Sequence, residues 1–385
     1  MMRLAIITTH PIQYYAPVFK LLAQQVEVKV FYTWGETSME KHDPGFDKTI
    51  RWDINLLDGY NYQWLQNTSS DPGSHHFNGI VNPTIIADVE AWNPNTVLVY
   101  GWAYKSHLNV MRHFKNKLPV LFRGDSTLLD EKPGLKNAIR SIYLKWVYNT
   151  VDYAFYTGIN NKAYFKKYGL RDDQLIFAPH AVDNERFAEP KDKEADKLKH
   201  LFGLDADGIV ILFAGKLETK KDPALLLKAF TNLRAANTHL LFVGNGVLKD
   251  ELKQLAMSNP NIHFMDFKNQ SYMPIIYQAC DIFCLPSKGP GETWGLAVNE
   301  AMACSKVILV SDKAGCAADL VKPNQNGIVF TAGSIKDISE KLAYLVNKGK
   351  AELSQMGKNS KHIIESWNFT NQANAIINYK DGRNQ

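Results

Sequence analysis

The chain has 385 residues, 45% of them hydrophobic and 22% charged, which excludes a disordered polypeptide and leaves room for two or three domains. Lys and Arg number 44 against 39 Asp and Glu, a formal charge of +5; that excess is small for a dedicated nucleic-acid binder and suits anionic small molecules or an acidic membrane surface. Four cysteines, Cys280, Cys284, Cys304 and Cys316, with no ligand partners at zinc spacing, exclude a disulfide scaffold and argue against a metal site; they read as buried thiols.

The N-terminal apolar run ends at Pro11 and is too short for a signal peptide. No window approaches the ~20 apolar residues of a membrane span. The expectation is a cytoplasmic protein.

Short β-rich runs then alternate with helical stretches. Strands are predicted at 4–8, 26–32, 96–100, 120–122, 153–156 and 174–178, and helices at 16–24, 107–115, 136–148 and 161–168. Residues 35–82 are less regular and predict long loops with room for a hairpin. A charged run at 191–200 reads as a solvated helix and marks a change of unit. A second alternating series follows. Its strands fall at 209–214, 239–243, 262–265, 282–285, 307–310 and 327–330; its helices at 222–233, 248–257, 272–279, 295–304, 317–321 and 335–345. Residues 354–379 read as helical, with Trp367 as a buried anchor.

The fold class is α/β: two Rossmann-like, doubly wound domains facing a central cleft. The domains are placed at 1–188 and 189–364, with a C-terminal helix at about 365–385 packing back on the first. Ligands in such sheets bind beyond the carboxyl ends of the strands, so strand-to-helix turns carry the chemistry.

The strongest turn reads Gly289-Pro290-Gly291-Glu292-Thr293-Trp294-Gly295-Leu296-Ala297 and continues to Glu300. A strand, a glycine-rich loop and a helix start offer unpaired amides and a helix dipole to an anion, most simply a phosphate. Glu292 and Glu300 beside such a site suit the hydroxyl pairs of a sugar nucleotide; the alternative is a pair of solvated carboxylates. A second turn, Gly215-Lys216-Leu217-Glu218-Thr219-Lys220-Lys221-Asp222-Pro223, holds two cations that suit a leaving diphosphate, or else form a solvated basic turn. A third, Val243-Gly244-Asn245-Gly246, would let backbone approach a nucleotide or simply shape the turn. In the first half, His10 and Gln13 follow the first strand, and Arg123 and Asp125 follow a later one. Asp125 suits a sugar hydroxyl or a helix cap; Arg123 suits a phosphate or a structural ion pair. His180, in Pro179-His180-Ala181-Val182-Asp183, reads as a partly buried residue of an interdomain turn. Of the first domain's many aromatics, among them Tyr14, Tyr15, Trp34, Trp52, Tyr60, Tyr62, Trp64, Tyr100, Trp102 and Tyr104, most are expected in the core, with a few left to stack on a sugar acceptor.

Glu292 and Glu300 complete an E-x7-E pattern. With it the chain resembles glycosyltransferase family 4, a retaining, nucleotide-sugar-dependent group (glycosyl transferases group 1) with the GT-B fold. Gly215-Lys216-Leu217 through Lys221 is similar to that family's G-R-L-x-x-x-K motif, Val243-Gly244-Asn245-Gly246 to its V-G-x-G turn, and Pro179 through Phe187 to its P-N-G-V-D-x-x-x-F segment. The resemblance is firm over about 174–330 and diffuse before it. It implies that Glu292 contacts the donor sugar, Glu300 the ribose, and Lys216 and Lys221 the diphosphate. Gly295 and the Leu296 and Ala297 amides would reach phosphate, with Gly244, Gly246, Thr293 and Trp294 completing the donor site. Three departures stand out. Lys216 replaces the usual Arg, which removes a bidentate fork. His10-Pro11-Ile12-Gln13 replaces a glycine pair. The family's cleft-facing His of the first domain has no evident counterpart, and Asp125 occupies its approximate place.

The expected activity is transfer of a hexosyl group from a nucleoside diphosphate sugar to a hydroxyl acceptor, with no metal and no other cofactor. Lys216, Lys221, Glu292 and Asp125 are the expected catalytic set, and His10, Gln13 and Arg123 lie toward the acceptor. The acceptor is a glycan, a lipid-linked or a small molecule; nucleic acid is not a partner. Basic stretches at 136–145 and 162–167 suit the inner face of a membrane, with solvated helix faces as the alternative. Other readings on the same architecture are a sugar-nucleotide epimerase and a non-catalytic sugar-nucleotide-binding subunit.

Overall fold

The computed structural model describes residues 1–43, 48–203, 208–233, 235, 237–257 and 259–380. Residues 381–385 of the anticipated C-terminal helix lie outside that set. Cα packing divides the chain into two compact units. Unit one holds residues 1–41, 54–180 and 369–380; unit two holds 42–53 and 181–368.

The strands, in chain order, are β1 (Arg3–Thr8), β2 (Glu27–Tyr32), β3 (Lys41–Asp43), β4 (Lys48–Ile50), β5 (Asn61–Trp64), β6 (Thr96–Tyr100), β7 (Val120–Arg123), β8 (Tyr153–Tyr156) and β9 (Leu175–Phe177), then β10 (Ile209–Ala214), β11 (Thr238–Val243), β12 (Ile262–Met265), β13 (Ile282–Leu285), β14 (Val307–Ser311) and β15 (Gly327–Phe330).

Unit one is a seven-stranded sheet of order β5-β2-β1-β6-β7-β8-β9, parallel throughout. The side-chain period of two sends Ala5 and Ile7 of β1 to one face with Val97 and Val99 of β6, and Leu4 and Ile6 to the other with Leu98 and Tyr100. Both faces are buried, which is why these strands read as unbroken apolar runs. The helix Phe369–Ile377 covers one face beside the helix Ala16–Ala23, so Ala373, Ile376 and Tyr379 share a core with Val18, Phe19 and Leu22. Ile376→Ala is expected to cost about 2–5 kcal/mol, the usual result of emptying a fully buried site. Urea unfolding followed by tryptophan fluorescence reads it; a cost below about 1 kcal/mol would mean that this helix is not part of the unit-one core.

Unit two is a parallel six-stranded sheet of order β12-β11-β10-β13-β14-β15. In each sheet the chain reverses its direction of winding once, between β1 and β6 in unit one and between β10 and β13 in unit two. Those reversals open the crevices where open α/β sheets hold ligands.

Several elements depart from expectation. β5 is a parallel edge strand whose sequence, Asn61-Tyr62-Gln63-Trp64, alternates polar and aromatic as a strand does but is only four residues long within an irregular polar region. The helix Ile85–Ala91 is not among the expected helices although Asn82-Pro83-Thr84 before it is a start signature; the Thr84 side chain makes no cap hydrogen bond. The stretch 354–379 is two helices, Gly349–Ile364 and Phe369–Ile377, and the break between them carries neither Gly nor Pro. β3 and β4 form a two-stranded sheet. Residues 42–53, assigned by sequence to the first domain, belong to unit two. There the Asn269 side-chain amide donates to the Arg51 carbonyl at 2.7 Å, and the Ser271 amide to Asp53 Oδ1 at 3.2 Å. Trp52 therefore belongs to unit two. Of the aromatics expected in the core, Trp34 and Tyr100 are buried, while Tyr15, Tyr60, Tyr62, Trp64 and Trp102 are half-buried and pack on the core from its margin.

Candidate functional site

The turns after β10 and β13 flank the switch point of unit two, and they carry the two strongest sequence motifs. After β10 the chain passes Gly215 and Lys216, makes a short 3-10 turn at Thr219–Lys221, and enters the helix Pro223–Asn232 through Asp222 in the left-handed region (φ 51°). Pro223 sits in the first helical turn, where its missing amide costs nothing. The Lys288 amide donates to the Lys220 carbonyl at 2.9 Å, and the Lys288 ammonium lies 3.2 Å from Asp222 Oδ1, so the two turns are tied together.

That tie brings Lys221 onto Glu292. The Lys221 ammonium donates to Glu292 Oε2, and the Ser287 hydroxyl donates to the same oxygen at 2.8 Å. The Glu292 side chain is only 11% exposed and that of Lys221 22%. Two residues 71 positions apart are thus paired at the mouth of the crevice. Lys216 lies half-buried in the same turn as Lys221.

The helix Leu296–Ala303 begins beyond Gly295, whose φ of 101° lies in the left-handed region. Glycine is favoured there on backbone grounds, and a Cβ would also meet Leu285 Cδ2 at 2.8 Å, which would have to shift. The leading amides of this helix, at Leu296 and Ala297, have no partners inside it and carry the positive end of its dipole. Glu300 is 4% exposed and accepts a hydrogen bond from the Tyr277 hydroxyl at 2.8 Å. It is therefore not a solvated carboxylate on a helix face. Trp294 corrects the expectation of a donor-binding side chain. It is buried, its indole N–H donates to Asn299 Oδ1 at 2.9 Å, and its ring packs on Trp367 with centroids 5.1 Å apart. Trp294 anchors the loop from within. The same loop is braced by the Gly315 amide on the Glu292 carbonyl at 3.1 Å and the Cys316 amide on the Trp294 carbonyl at 3.0 Å, which leaves Thr293 between two backbone ties.

Gly244 and Gly246, in the turn after β11, lie against the turn after β10. A Cβ at Gly244 would come within 2.0 Å of the Gly215 carbonyl oxygen, and one at Gly246 within 2.5 Å of the Leu217 carbonyl oxygen. Close approach of two backbones accounts for both glycines. The Asn245 side chain fixes the same turn by accepting from the Phe267 amide at 2.7 Å.

In unit one, His10 and Gln13 are half-buried in the turn after β1. His10 Nδ1 lies 2.9 Å from the Thr9 hydroxyl, and its ring meets the edge of Trp34. Arg123 departs from the expectation of a phosphate ligand. It is buried, and its two terminal nitrogens donate to the Ala178 and Pro179 carbonyls at 3.0 and 3.1 Å, so its guanidinium braces the end of β9. Burial holds its pKa below the usual arginine value. Asp125 is half-buried in the turn after β7, close enough that its charge, after burial, raises the pKa of the Tyr15 phenol. His180 is buried beside Tyr15, with ring centroids 6.3 Å apart; burial and then the Arg123 charge hold it neutral. His107 is likewise structural: it bridges the Thr33 hydroxyl at 2.8 Å and the Gly101 carbonyl at 2.8 Å, and burial lowers its pKa to about 4. All four thiols are buried and free, and burial pushes Cys280 up to about 12, which suits packing rather than nucleophilic work.

Residues 194–363 match the family Glycosyl transferases group 1. Among curated relatives, the D-inositol 3-phosphate glycosyltransferase of Stackebrandtia nassauensis is 29% identical over 194 residues, 46% of this chain and 42% of that protein. The mannosylfructose-phosphate synthase of Agrobacterium fabrum is 28% identical over 162 residues, 38% of this chain and 35% of that protein. The chain spans about half the length of the curated relatives it matches. Among solved structures, Anabaena HepE in complex with UDP superposes with a TM-score of 0.74 at 16% identity, covering 99% of this chain and 100% of that one. The sucrose-phosphate synthase of Thermosynechococcus elongatus also gives 0.74 at 16%, over 99% and 98%. These likenesses give the fold: two parallel-sheet Rossmann-like units of the GT-B type.

Sequence reasoning missed the residues that hold Glu292 and Glu300 in place. Ser287 is fully buried two residues beyond β13, and its position two residues before Gly289 was the available signal. Tyr277 lies on the preceding helix, Met273–Gln278, where nothing in the sequence links it to Glu300. Among the described residues, Asp71, His75 and His76 also place ligand-type atoms within 4.8 Å of one another, on a surface loop that the sequence did not single out.

No helix among the described residues is long and apolar enough to cross a membrane.

Proposed function

We propose that the protein is a retaining hexosyltransferase that takes its sugar from a nucleoside diphosphate. The observation that carries this reading is the Lys221–Glu292–Ser287 cluster at the switch point of unit two, beside the amino end of the Leu296–Ala303 helix. A diphosphate placed there meets the ammonium groups of Lys216 and Lys221 and the Leu296 and Ala297 amides. Those groups favour charge as it builds on the departing phosphate oxygen, where each preorganised donor is worth about 2–4 kcal/mol of barrier. Lys221 and Ser287 both bond Oε2 of Glu292, which leaves Oε1 to accept from a hydroxyl of the donor sugar. Glu300, held by Tyr277, is the carboxylate proposed to meet the ribose. The glycosidic bond to phosphate breaks with its electron pair leaving on the diphosphate, and the acceptor oxygen bonds the anomeric carbon on the face that the phosphate left while its hydroxyl proton passes to the departing phosphate oxygen. Asp125, in the turn after β7, is the carboxylate proposed to orient the acceptor, with His10 and Gln13. Arg123 is left out because its donors are spent on backbone carbonyls.

Uridine diphosphate is the first ligand to test, since HepE is described in complex with UDP and with UDP-glucose. The relatives' names agree on glycosyl transfer and differ in acceptor: an inositol phosphate, or a polyprenol-linked sugar in the Campylobacter jejuni protein, which is 27% identical over 211 residues. Phosphorylated polyols and lipid-linked sugars are therefore both on the acceptor panel. The test is a thermal-shift screen against nucleoside diphosphates. A base that binds at ~100 times its Kd stabilises by ~2.7 kcal/mol, a rise of several degrees. Failure of every nucleoside diphosphate to move the transition would overturn the reading.

A further inference from the structure

The helix Leu135–Tyr148 of unit one buries only part of its length and only one side. Leu144, Val147 and Tyr148 enter the core, all in its last two turns. On the opposite side stand Leu135, Ile139, Ile142 and Trp146, at 78%, 62%, 73% and 44% exposure. Their spacing of i, i+4, i+7 and i+11 puts all four on one stripe of a 3.6-residue helix. A solvated helix shows the reverse arrangement, with polar side chains outward, and four large apolar groups aligned on an outer face form a patch that needs a cover.

The flanks of the stripe decide what covers it. Lys136 borders one side and Lys145 the other, with Arg140 further round the helix, all three exposed, and no acidic residue occurs between Gly134 and Val151. The acids just before the helix are Asp130 and Glu131, and Glu131 is engaged by Lys167 and the Tyr168 hydroxyl. Arg112 from the neighbouring helix adds a further cation, with its guanidinium 4.9 Å from the centroid of the Trp146 ring. An apolar stripe with cationic borders and a tryptophan at one end matches an anionic bilayer surface: acyl chains receive the apolar face, headgroup phosphates the cations, and indole the boundary between them. A second copy of the same helix would set like charges against each other.

We infer that the outer face of the Leu135–Tyr148 helix seats the protein on an anionic lipid surface. The full chain is sedimented with vesicles of phosphatidylcholine containing about one-third phosphatidylglycerol, and with phosphatidylcholine alone, at low and high salt. The anionic vesicles are expected to bind at least about tenfold better, since each cation at such a surface contributes roughly fivefold, and salt should erase the difference. Ile139→Ser with Ile142→Ser, and separately Lys136→Glu with Lys145→Glu, should each cut binding by about tenfold or more with the thermal transition unchanged, because all four side chains are exposed. Trp146 emission should shift to the blue on anionic vesicles, a shift absent in Trp146→Phe. The inference fails if the wild type ignores anionic vesicles, if it binds neutral ones as well, or if either double variant binds undiminished. It also fails if Ile142→Ser instead dissolves a concentration-dependent dimer, which would give this face to a second copy of the chain.

Discussion

Lys221→Ala is expected to lower glycosyl transfer by about two to three orders of magnitude, the cost of losing one preorganised group that meets charge on a departing oxygen. Glu292→Gln should fall in the same range for a different reason. It keeps the size of the side chain and one acceptor oxygen but removes the charge that holds the Lys221 ammonium in position. Because the two groups touch, the double variant should lose far less than the product of the single losses, as expected for residues acting as one unit. Stability should respond weakly. The pair is partly exposed, and Ser287 remains on Glu292 when Lys221 is removed, so a cost of about 1–2 kcal/mol is the scale to expect. Lys220→Ala supplies the control: its ammonium pairs with Glu218 at 3.3 Å and is nearly half exposed, and its loss should leave turnover within about twofold. Initial rates with a donor chosen from the nucleotide screen decide the matter. Turnover within a few-fold of wild type in Lys221→Ala would reduce the pair to an ordinary ion pair.

The strands that make both sheets are legible because a parallel sheet buried on both faces leaves no choice of residue. Ile209-Val210-Ile211-Leu212-Phe213-Ala214 is buried at every position, and its sequence says as much. The motifs were legible for a related reason. Glycine, lysine and glutamate in fixed order at a strand end form a local pattern, and Lys216 to Asp222 and Glu292 to Glu300 occupy the turns on either side of the unit-two switch point. What stayed hidden was pairing across long sequence separations. Nothing local marks Ser287 and Lys221 as sharing one oxygen of Glu292, or Tyr277 as the partner of Glu300. Arg123 and Trp294 were misread by the same gap. Each residue type suits a ligand, but the structure turns one onto the chain's own carbonyls and the other onto Asn299 and Trp367. The outward stripe of the Leu135–Tyr148 helix also went unread, because periodicity reveals an apolar face without telling whether the fold covers it.

Gly244→Ala is expected to do more damage than any other single-methyl addition in the turns after β10 and β11. The new Cβ would lie 2.0 Å from the Gly215 carbonyl oxygen, a backbone atom that cannot swing aside, and φ at this position is +140°, where an L side chain is strained regardless of space. The turn after β10 and the turn after β11 would have to separate, breaking the Gly215 amide bond to the Val243 carbonyl and the Leu217 amide bond to the Asn245 carbonyl, each 2.9 Å. The expected cost is about 3 kcal/mol or more, with loss of nucleotide binding, because Lys216 and Lys221 are carried on the displaced turn. Gly291→Ala separates the steric cause from the conformational one. Gly291 also has positive φ (+92°), but nothing lies within 4 Å of its would-be Cβ, so backbone strain of about 1–2 kcal/mol is all it should suffer. Urea unfolding and the nucleotide thermal shift, measured side by side on the two variants, read the difference. Equal costs would mean that the close approach of the two turns relaxes at no penalty, and the geometry holding the lysines would then owe nothing to that glycine.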